Sequence, residues 1–301
     1  MPQDMVLVVG ATGMLGHAVA RQLRADGCLV RVLVRDLERA RARLGPDVAY
    51  VRGTVDDRAA LTRALAGCSA VHISLASARP EEVDQVEHRG TARVVAVAAA
   101  QGVARVSYVS GMLVAEEFAG TIAQHRAKLR AEQAIYQHGV PYTIFKPTYF
   151  MDTLPRHVQG RVAIVLGRQP HAYHMVAARD FARMVSRALR TPDAANRHCF
   201  VHGPEPITMA DALRLYCRVV EPGKRVITLP LWCMRVIDAL VLGRKLQDTL
   251  QLMALMQRVG ERGDPAETHR LLGAPTTTVR EWCEHERRRR VQQGHAHAGD
   301  A

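Results

Sequence analysis

The sequence predicts an α/β protein built on a doubly wound parallel sheet, with a small, mostly helical region towards the carboxyl end. Short apolar runs alternate with helical patterns through the first half of the chain. The first of these runs, residues 6–9, leads through glycines at positions 10, 13 and 16 into a helical pattern. Strands that alternate with helices join through right-handed crossovers into parallel sheets.

Six strands and five helices are predicted in the first half. The strands are residues 6–9, 30–34, 49–51, 70–74, 106–110 and 142–146, and the helices are residues 17–26, 37–44, 58–65, 82–101 and 124–138. After Pro147 the pattern is less regular, with strands at 162–166 and 198–202 and helices at 179–189 and 209–219. Residues 232–259 form an apolar helical stretch, in which spacings of three to four residues predict a core-facing stripe, with a lid over an apolar substrate as the alternative. The stripe consists of Leu246, Leu250, Met253 and Met256.

The same patterns give the domain organisation. We expect a dinucleotide-binding domain over residues 1–150 and a substrate-binding region over residues 151–285, partly interleaved with the first domain. An arginine run at residues 287–290 precedes a stretch rich in glycine and histidine, so residues 286–301 are predicted to be a disordered basic tail.

The glycine turn after the first strand predicts a phosphate-binding site. Gly10 permits the tight turn, Gly13 lets the backbone approach a pyrophosphate, and Gly16 lets the helix pack closely on the sheet. The free N–H groups and the positive dipole end of the helix would face the phosphates. The predicted contacts therefore run through Thr12, Gly13, Met14, Leu15 and Gly16, as in a Rossmann-like fold.

The end of the second strand indicates which dinucleotide binds. An acidic residue commonly ends this strand in NAD sites, but here the strand ends in Arg35. A guanidinium can hold a 2′-phosphate by charge-assisted hydrogen bonds, and Arg39, one helical turn later, could form the other side of that site. NADP is therefore favoured over NAD. An inward-pointing Asp36 side chain would weaken this preference.

Further cofactor contacts follow from position in the sheet. Val55 lies in the loop that borders the adenine, residues 74–76 pass near the adenine ribose and the pyrophosphate, and Ser110 lies under the nicotinamide. The predicted residues are Val55, Ser74, Leu75, Ala76 and Ser110.

Composition narrows the possible partners. The chain has 301 residues, a formal net charge of +12 and 5% aromatic residues, and no recognised nucleic-acid motif accompanies the charge. No apolar run is long enough to span a bilayer and no signal peptide fits, so we expect a cytoplasmic protein, a monomer or homodimer, with no nucleic-acid or membrane partner. Six scattered cysteines predict reduced thiols, and the histidine spacings predict no metal site.

Several segments together resemble an atypical short-chain dehydrogenase/reductase of the NmrA-like group. They are Gly10-Ala-Thr-Gly-Met-Leu-Gly16, Val32-Leu-Val-Arg35, Glu87-His-Arg-Gly-Thr-Ala, Tyr108-Val-Ser-Gly111, Tyr142-Thr-Ile-Phe-Lys-Pro-Thr-Tyr-Phe-Met151, Ala178-Arg-Asp-Phe-Ala182 and Thr278-Val-Arg-Glu-Trp282. The resemblance covers residues 5 to about 285. It implies a Rossmann fold, a NADP-type cofactor and a variable carboxyl-terminal substrate region. It also places Pro147, Tyr149 and Phe150, with Thr148, beside the nicotinamide.

The chain departs from that family at the proton donor. The family's reductases usually carry Tyr-x-x-x-Lys on the helix after the fifth strand, and this chain reads Gln124-His-Arg-Ala-Lys128. A glutamine supplies no titratable proton. Lys128 should share a helix face with Gln124 and could donate directly or only bind the ribose. His125 is a second candidate donor, unless it is a surface histidine, and the family's serine position falls on Ser110 or on Met112, which would lack the hydroxyl.

Three functions remain open at this stage. The first is a NADPH-dependent reductase that acts on a small apolar carbonyl or unsaturated substrate, with Lys128, His125 and Ser110 as the catalytic residues. The second is a NADP(H)-sensing regulatory or assembly protein without turnover, which the missing tyrosine favours. The third is a non-redox isomerase, cyclase or dehydratase in a reductase-like pocket.

Overall fold

A computed structural model describes residues 4–77, 79–120, 122–241, 243 and 246–298, with side chains as far as residue 292. The chain divides into two compact units. The first consists of Met1–Pro147, Ala178–Val201 and Gly263–Gly273, and the second of Thr148–Ala177, His202–Arg262 and Ala274–Ala301.

The strands and helices are numbered along the whole described chain. The strands are β1 Met5–Val9, β2 Leu29–Val34, β3 Ala49–Arg52, β4 Ala70–Ile73, β5 Arg105–Val109, β6 Tyr142–Pro147, β7 Val158–Gln159, β8 Val162–Leu166, β9 Ala172–His174, β10 Arg197–Val201, β11 Pro206–Thr208 and β12 Arg225–Leu229. The helices are α1 Met14–Ala25, α2 Leu37–Leu44, α3 Arg58–Leu65, α4 Gly90–Ala100, α5 Glu116–Ala119, α6 Ala123–Gln137, α7 Ala178–Arg190, α8 Met209–Val219, α9 Leu231–Leu240, α10 Gln247–Val259, α11 Ala266–Leu272 and α12 Val279–Ala298.

The first unit is built on a seven-stranded sheet in the order β10-β6-β5-β4-β1-β2-β3, with every pairing parallel. The strand order reverses at β1, so the ends of β1 and β4 border the crevice where doubly wound sheets bind ligands. The predicted fold class is confirmed, and all six predicted strands are present within two residues at each end. The predicted strand 198–202 is also present, as β10, and it adds a seventh strand beside β6.

Apolar side chains on one face of this sheet pack against α3, α4 and α6 and form a core cluster of the first unit. Leu7 on β1, Leu61 on α3, Val94 on α4 and Ile135 on α6 are all fully buried members of one cluster. Strands buried on both faces read as continuous apolar runs, and this explains why the strand predictions were accurate.

The segment before α4 differs from the single helix predicted over residues 82–101. A 3₁₀ turn at Pro80–Glu82 and a π-helical turn at Asp84–Arg89 precede Gly90–Ala100. A π turn changes the direction of side chains on a helix and occurs often at functional sites. Here it contains the fully buried Glu87.

The second unit carries two small sheets, β11-β9 and β12-β8-β7, together with α8, α9, α10 and α12. The predicted continuous helix 232–259 is interrupted between α9 and α10. Leu250, Met253 and Met256 are buried, as the core-facing stripe predicted, whereas Trp232 and Leu240 on α9 are exposed. Within the described residues, no helix combines the length and the apolarity that a membrane span requires.

The prediction of a disordered tail from residue 286 was wrong for the described part. Helix α12 continues through the arginine run to Ala298, and residues 299–301 of the predicted tail lie outside the described residues. The Glu286 carboxylate binds Arg289 at 2.8 Å and Arg290 at 2.9 Å. Ion pairs at spacings of three and four residues support a helix that composition alone does not favour.

His72 gives the first unit a pH dependence that can be measured. Its side chain is fully buried on β4, Nδ1 lies 2.9 Å from Ser107 Oγ, and burial lowers the pKa to about 3. The unfolded chain takes up a proton below its ordinary pKa of 6.5, whereas the folded chain does not. Stability should therefore fall as the pH drops below that value, by about 2–3 kcal/mol over two pH units.

The measurement is urea unfolding at a series of pH values for His72→Asn, which keeps a polar partner for Ser107, and for wild type. We expect a shallower acid loss in His72→Asn, and no change of slope in the control His138→Asn, which alters an exposed histidine. Parallel curves for His72→Asn and wild type would contradict this assignment.

Candidate cofactor site

The turn after β1 is closed by backbone contacts that only glycine permits. Gly10 has a φ of +86°, and a Cβ there would lie 2.3 Å from the carbonyl oxygen of Ser74, which follows β4. A Cβ at Gly16 would lie 2.3 Å from the carbonyl oxygen of Gly10. The N–H of Gly13 donates to the Gly10 carbonyl at 2.9 Å. The first and third glycines thus bring the strand, the turn and α1 into close contact.

The amino end of α1 is open. Gly13 is the N-cap residue and provides no side chain to bind the free N–H groups of the first turn, and that turn contains no acidic residue. Met14 and Leu15 begin the helix, and Thr12 lies in the turn, partly exposed. Free N–H groups at a positive dipole end form a site for a phosphate.

Two cations stand at the end of β2. Arg35 and Arg39 are exposed, and neither guanidinium forms a hydrogen bond or ion pair within the described part of the chain. Asp36 does not oppose them, because its carboxylate caps α2 by accepting the Arg39 N–H at 3.0 Å. Both guanidinium groups are therefore available to an anion.

Gly90 lets the side chains of Val55 and Leu75, two predicted cofactor contacts, pack closely against the backbone at the start of α4. A Cβ at Gly90 would lie 2.8 Å from a Val55 methyl group and 3.4 Å from a Leu75 methyl group. Val55 and Leu75 thus meet over Gly90, and both remain partly exposed. Ser74 is fixed by its N–H, which donates to the Val9 carbonyl at 3.0 Å, and Ala76 follows as an exposed residue.

Glu87 lies at the centre of this unit's polar side chains. Its carboxylate is fully buried, and Oε1 accepts the Ser77 N–H at 3.1 Å and the Gln124 amide at 3.2 Å. Among the described residues Oε2 has no hydrogen-bond partner, and it faces Lys128 Nζ at 3.4 Å. One carboxylate therefore contacts both Gln124 and Lys128, the two α6 residues that the resemblance aligns with Tyr-x-x-x-Lys.

Lys128 is fixed by three neighbours. Nζ donates to the Val109 carbonyl at 3.1 Å, pairs with Glu87 and lies 5.6 Å from the centre of the Tyr108 ring. Its side chain is 13% exposed. Gln124 and Lys128 share a helix face, as predicted, since both reach Glu87.

Ser110 belongs to a separate buried network. Its hydroxyl donates to Glu132, and the same carboxylate oxygen lies 3.2 Å from Lys146 Nζ. Lys146 also donates to the Val114 carbonyl at 2.9 Å. The Ser110 proton is therefore directed at a carboxylate within the protein. Met112, the alternative serine position, is buried.

His125 differs from the surface histidine that we considered. Its side chain is only 7% exposed, and Nδ1 has no hydrogen-bond partner among the described residues. Burial, reinforced by the Lys128 charge, lowers the pKa of His125 to about 4. Its imidazole is neutral at neutral pH.

The last predicted contacts fall on both units. Pro147 ends β6 in the first unit, and its carbonyl accepts the Met112 N–H at 3.2 Å. Tyr149 and Phe150 belong to the second unit, where the Tyr149 hydroxyl lies 2.8 Å from His157 Nε2 and Phe150 is buried. Their placement beside a nicotinamide stays a prediction.

These residues fit a dinucleotide. The glycine turn leaves room for a phosphate against backbone, the first turn of α1 offers free donors, and Arg35 and Arg39 offer free positive charge. Fold and site together define a Rossmann-fold protein with a dinucleotide-binding turn.

Comparison with known proteins identifies the family within this class. The model of the NAD(P)H-binding family matches residues 10–192, and the chain belongs to that family. The predicted kinship with NmrA-like atypical short-chain reductases and the predicted nicotinamide cofactor are both confirmed at this level.

Two curated relatives and one solved structure illustrate the range of the likeness. The chain is 34% identical to a (4-alkanoyl-5-oxo-2,5-dihydrofuran-3-yl)methyl phosphate reductase of Streptomyces griseus, over 92% of this chain and 96% of the relative. It is 24% identical to the photosystem II assembly factor Ycf39 of Trieres chinensis, over 77% and 74% of the two chains. The NADPH complex of an NADPH-dependent quinone oxidoreductase of Escherichia coli has the same fold, with a TM-score of 0.74, 22% identity, and coverage of 93% and 99%.

Glu87 was not among the site residues predicted from the sequence. A signal was present, because Glu87 lies four residues before Thr91 and seven before Val94, and this helical spacing places it on the face that α4 buries. A carboxylate on a buried face requires a counter-charge, and Lys128 supplies it. The partner itself lies 41 residues away, at a distance that local spacing cannot bridge.

Proposed function

We propose that this chain is a NADPH-dependent reductase of a small apolar carbonyl or unsaturated substrate. The observation that carries the proposal is Lys128, a nearly buried amine held by Glu87 and by the last carbonyl of β5. It stands where the resemblance implies the lysine that binds the nicotinamide ribose. The 34% identity to a reductase over 92% of the chain supports this proposal.

In this proposal the bound cofactor supplies a hydride, and the chain supplies position and charge. An ammonium has three N–H donors. One N–H of Lys128 donates to the Val109 carbonyl, and the ammonium forms an ion pair with Glu87 at 3.4 Å. A further N–H can then serve a ribose hydroxyl or the product. Ser110 and His125 are secondary candidates, because the first donates to Glu132 and the second is neutral near pH 7.

The proposal also covers the substrate class, the cellular compartment and the oligomeric state. The name of the Streptomyces relative describes an unsaturated lactone that carries a carbonyl group and a phosphate, and we propose substrates of this conjugated type for the present chain. We further propose a cytoplasmic monomer or homodimer, in keeping with six free cysteines. The substrate-binding role of residues 151–285 is part of this proposal.

The direct test is NADPH oxidation against a panel of ketones, quinones and acyl-substituted unsaturated lactones, with and without phosphate. We expect turnover on at least one conjugated substrate. In Lys128→Met we expect loss of turnover even at NADPH concentrations that saturate its weakened cofactor site. Unchanged turnover in Lys128→Met would remove that residue from the mechanism. Product formation without NADPH oxidation would favour the non-redox alternative.

A second candidate function is a NADP(H)-sensing regulatory or assembly protein. Gln124 favours it, because its amide is bound to Glu87 and carries no titratable proton at the position where the resemblance implies a tyrosine. The similarity to an assembly factor points the same way. This function requires NADPH binding with no oxidation of NADPH across the whole panel.

The preference for NADPH should depend on Arg35. Charge-assisted hydrogen bonds to a phosphate are worth about 1.5–3 kcal/mol, so Arg35→Ser should weaken NADPH about 10–100-fold. NADH lacks the 2′-phosphate, and its affinity should not change. Titration of cofactor fluorescence with both nucleotides provides the measurement.

Arg41→Ser is the matched control, at an arginine on α2, the helix that follows Arg35. Arg41 is also exposed, but it pairs with Glu38 at 3.6 Å and lies over the Tyr50 ring. It should leave the affinities for both cofactors unchanged. If Arg35→Ser weakened NADPH and NADH equally, Arg35 would not determine the preference.

A further inference from the structure

Three side chains from distant parts of the sequence meet in the second unit. His174 ends β9, His202 follows β10, and Glu261 follows α10 by two residues. Glu261 Oε2 lies 2.5 Å from His174 Nδ1 and 3.6 Å from His202 Nδ1. One ligand atom from each residue lies within 4.8 Å of the other two.

The three side chains are fixed by contacts outside the cluster. The Glu261 Oε1 atom accepts the backbone N–H of His174 at 2.8 Å. His202 Nε2 lies 3.2 Å from the Arg262 carbonyl, and the two imidazole rings stack at 5.8 Å with 18° between their planes. An imidazole whose Nε2–H donates to a carbonyl presents the lone pair of Nδ1, which is the usual arrangement around a protein-bound metal.

The backbone beside the cluster is also closely packed. A Cβ at Gly203 would lie 1.8 Å from the carbonyl oxygen of Met175, so only glycine lets the chain after His202 lie against the residue that follows His174. The relative position of the two histidines therefore does not depend on side-chain contacts alone.

The cluster is exposed to solvent at His174 and mostly buried at its other two members. The side chains of His202 and Glu261 are 8% and 14% exposed, whereas His174 is 36% exposed. Two imidazoles and one carboxylate with an open position are the ligands of many zinc sites in which water fills the fourth place. Nitrogen ligands of this kind disfavour Mg²⁺ and Ca²⁺, which prefer oxygen.

We propose that His174, His202 and Glu261 form a binding site for a divalent transition-metal ion of the Zn²⁺ type. Tetrahedral ligands about 2.0–2.2 Å from zinc lie roughly 3.3–3.5 Å apart, so the His174–Glu261 contact must open by about 1 Å. The ion takes the place of the proton on His174 Nδ1, and the neutral imidazole then carries its one proton on Nε2. The positions of the histidines along the sequence predicted no metal site. The three proposed ligands come together only in the folded chain.

The first experiment measures the wild-type metal site directly. The full chain, freed of metal by a chelator, is titrated with Zn²⁺ by calorimetry and with Co²⁺ by visible absorption. We expect one ion per chain and the intense visible bands of four- or five-coordinate Co²⁺. X-ray absorption of the zinc-loaded protein should show a first shell of nitrogen and oxygen with two imidazoles. Absence of binding at micromolar metal, or a first shell without imidazole, would overturn the proposal.

The second experiment assigns the ligands. His295→Gln and His297→Gln are introduced first as a background, since both histidines near the carboxyl terminus could bind zinc themselves. In that background, His202→Gln and Glu261→Gln should each weaken Zn²⁺ by about tenfold or more. His285→Gln, at an exposed histidine on α12, should not change the affinity. Equal affinity in all variants would overturn the assignment even if the wild type binds zinc.

Discussion

Glu87→Gln is expected to destabilise the protein by about 3–5 kcal/mol, because it leaves the Lys128 ammonium nearly buried without its counter-charge. Glu87 is completely buried and Lys128 is 13% exposed. Lys128→Met should have a similar cost, since it leaves the carboxylate unpaired. The two losses should not add, and Glu87→Gln/Lys128→Met should be more stable than either single variant. Urea unfolding of the four proteins measures this coupling.

An exposed ion pair in the same unit provides the control. Arg93 and Asp56 lie 2.6 Å apart with side chains 39% and 50% exposed. Asp56→Asn should cost no more than about 1 kcal/mol, because water screens such pairs. Additive losses at Glu87 and Lys128 would show that the two residues stabilise the fold independently, and Glu87 would then not be the residue that holds Lys128.

NADPH titration of the same variants distinguishes the effect of Glu87 on the position of Lys128 from its effect on the stability of the fold. If Glu87 keeps Lys128 at the cofactor, Glu87→Gln should weaken NADPH at temperatures where the protein is fully folded, and it should add little once Lys128 is already methionine. An unchanged NADPH affinity in folded Glu87→Gln would restrict the pair to a structural role.

The fold was predictable from the sequence because its main determinants are local. Fully buried parallel strands appear as apolar runs, and the glycine turn after β1 marks where the first strand ends. The interruption between α9 and α10 and the π turn at Asp84–Arg89 were not predicted. Both lie inside stretches whose residue types favour one continuous helix. The helical course of α12 depends on ion pairs of Glu286 with two arginines, and a count of charges reads that run as disordered.

The candidate site was predictable only where one segment supplies it. Gly10, Gly13 and Gly16 lie within one short segment, from the turn after β1 into the start of α1. Arg35 was predicted from its place at the end of β2. The role of Asp36 could be assigned only from the structure. A carboxylate that follows a strand can either repel a bound phosphate or cap the next helix, and the sequence does not distinguish the two. Glu87 and the His174–His202–Glu261 cluster join residues far apart in the chain, and no spacing rule relates their positions.

Gly10→Ala should be the most damaging single substitution in the turn, and it tests why the glycine is required. Two costs are expected there: a positive φ, worth about 1–2 kcal/mol for a residue with a Cβ, and overlap with the Ser74 carbonyl 2.3 Å away. Overpacking adds about 1–3 kcal/mol, so the total loss should be about 2–5 kcal/mol. Because the overlap pushes apart the ends of β1 and β4, NADPH binding should be lost as well.

Gly27→Ala separates the two costs. Gly27 follows α1 with a φ of +85°, and a Cβ there would meet nothing within 4 Å. The variant should therefore show only the conformational cost of about 1–2 kcal/mol and should bind NADPH normally. The difference between the two variants in urea unfolding measures the overlap at Ser74, the contact that holds the turn against the neighbouring strand. Equal losses in both variants would mean that φ alone demands glycine at position 10, and the turn would then tolerate a side chain at the cofactor crevice.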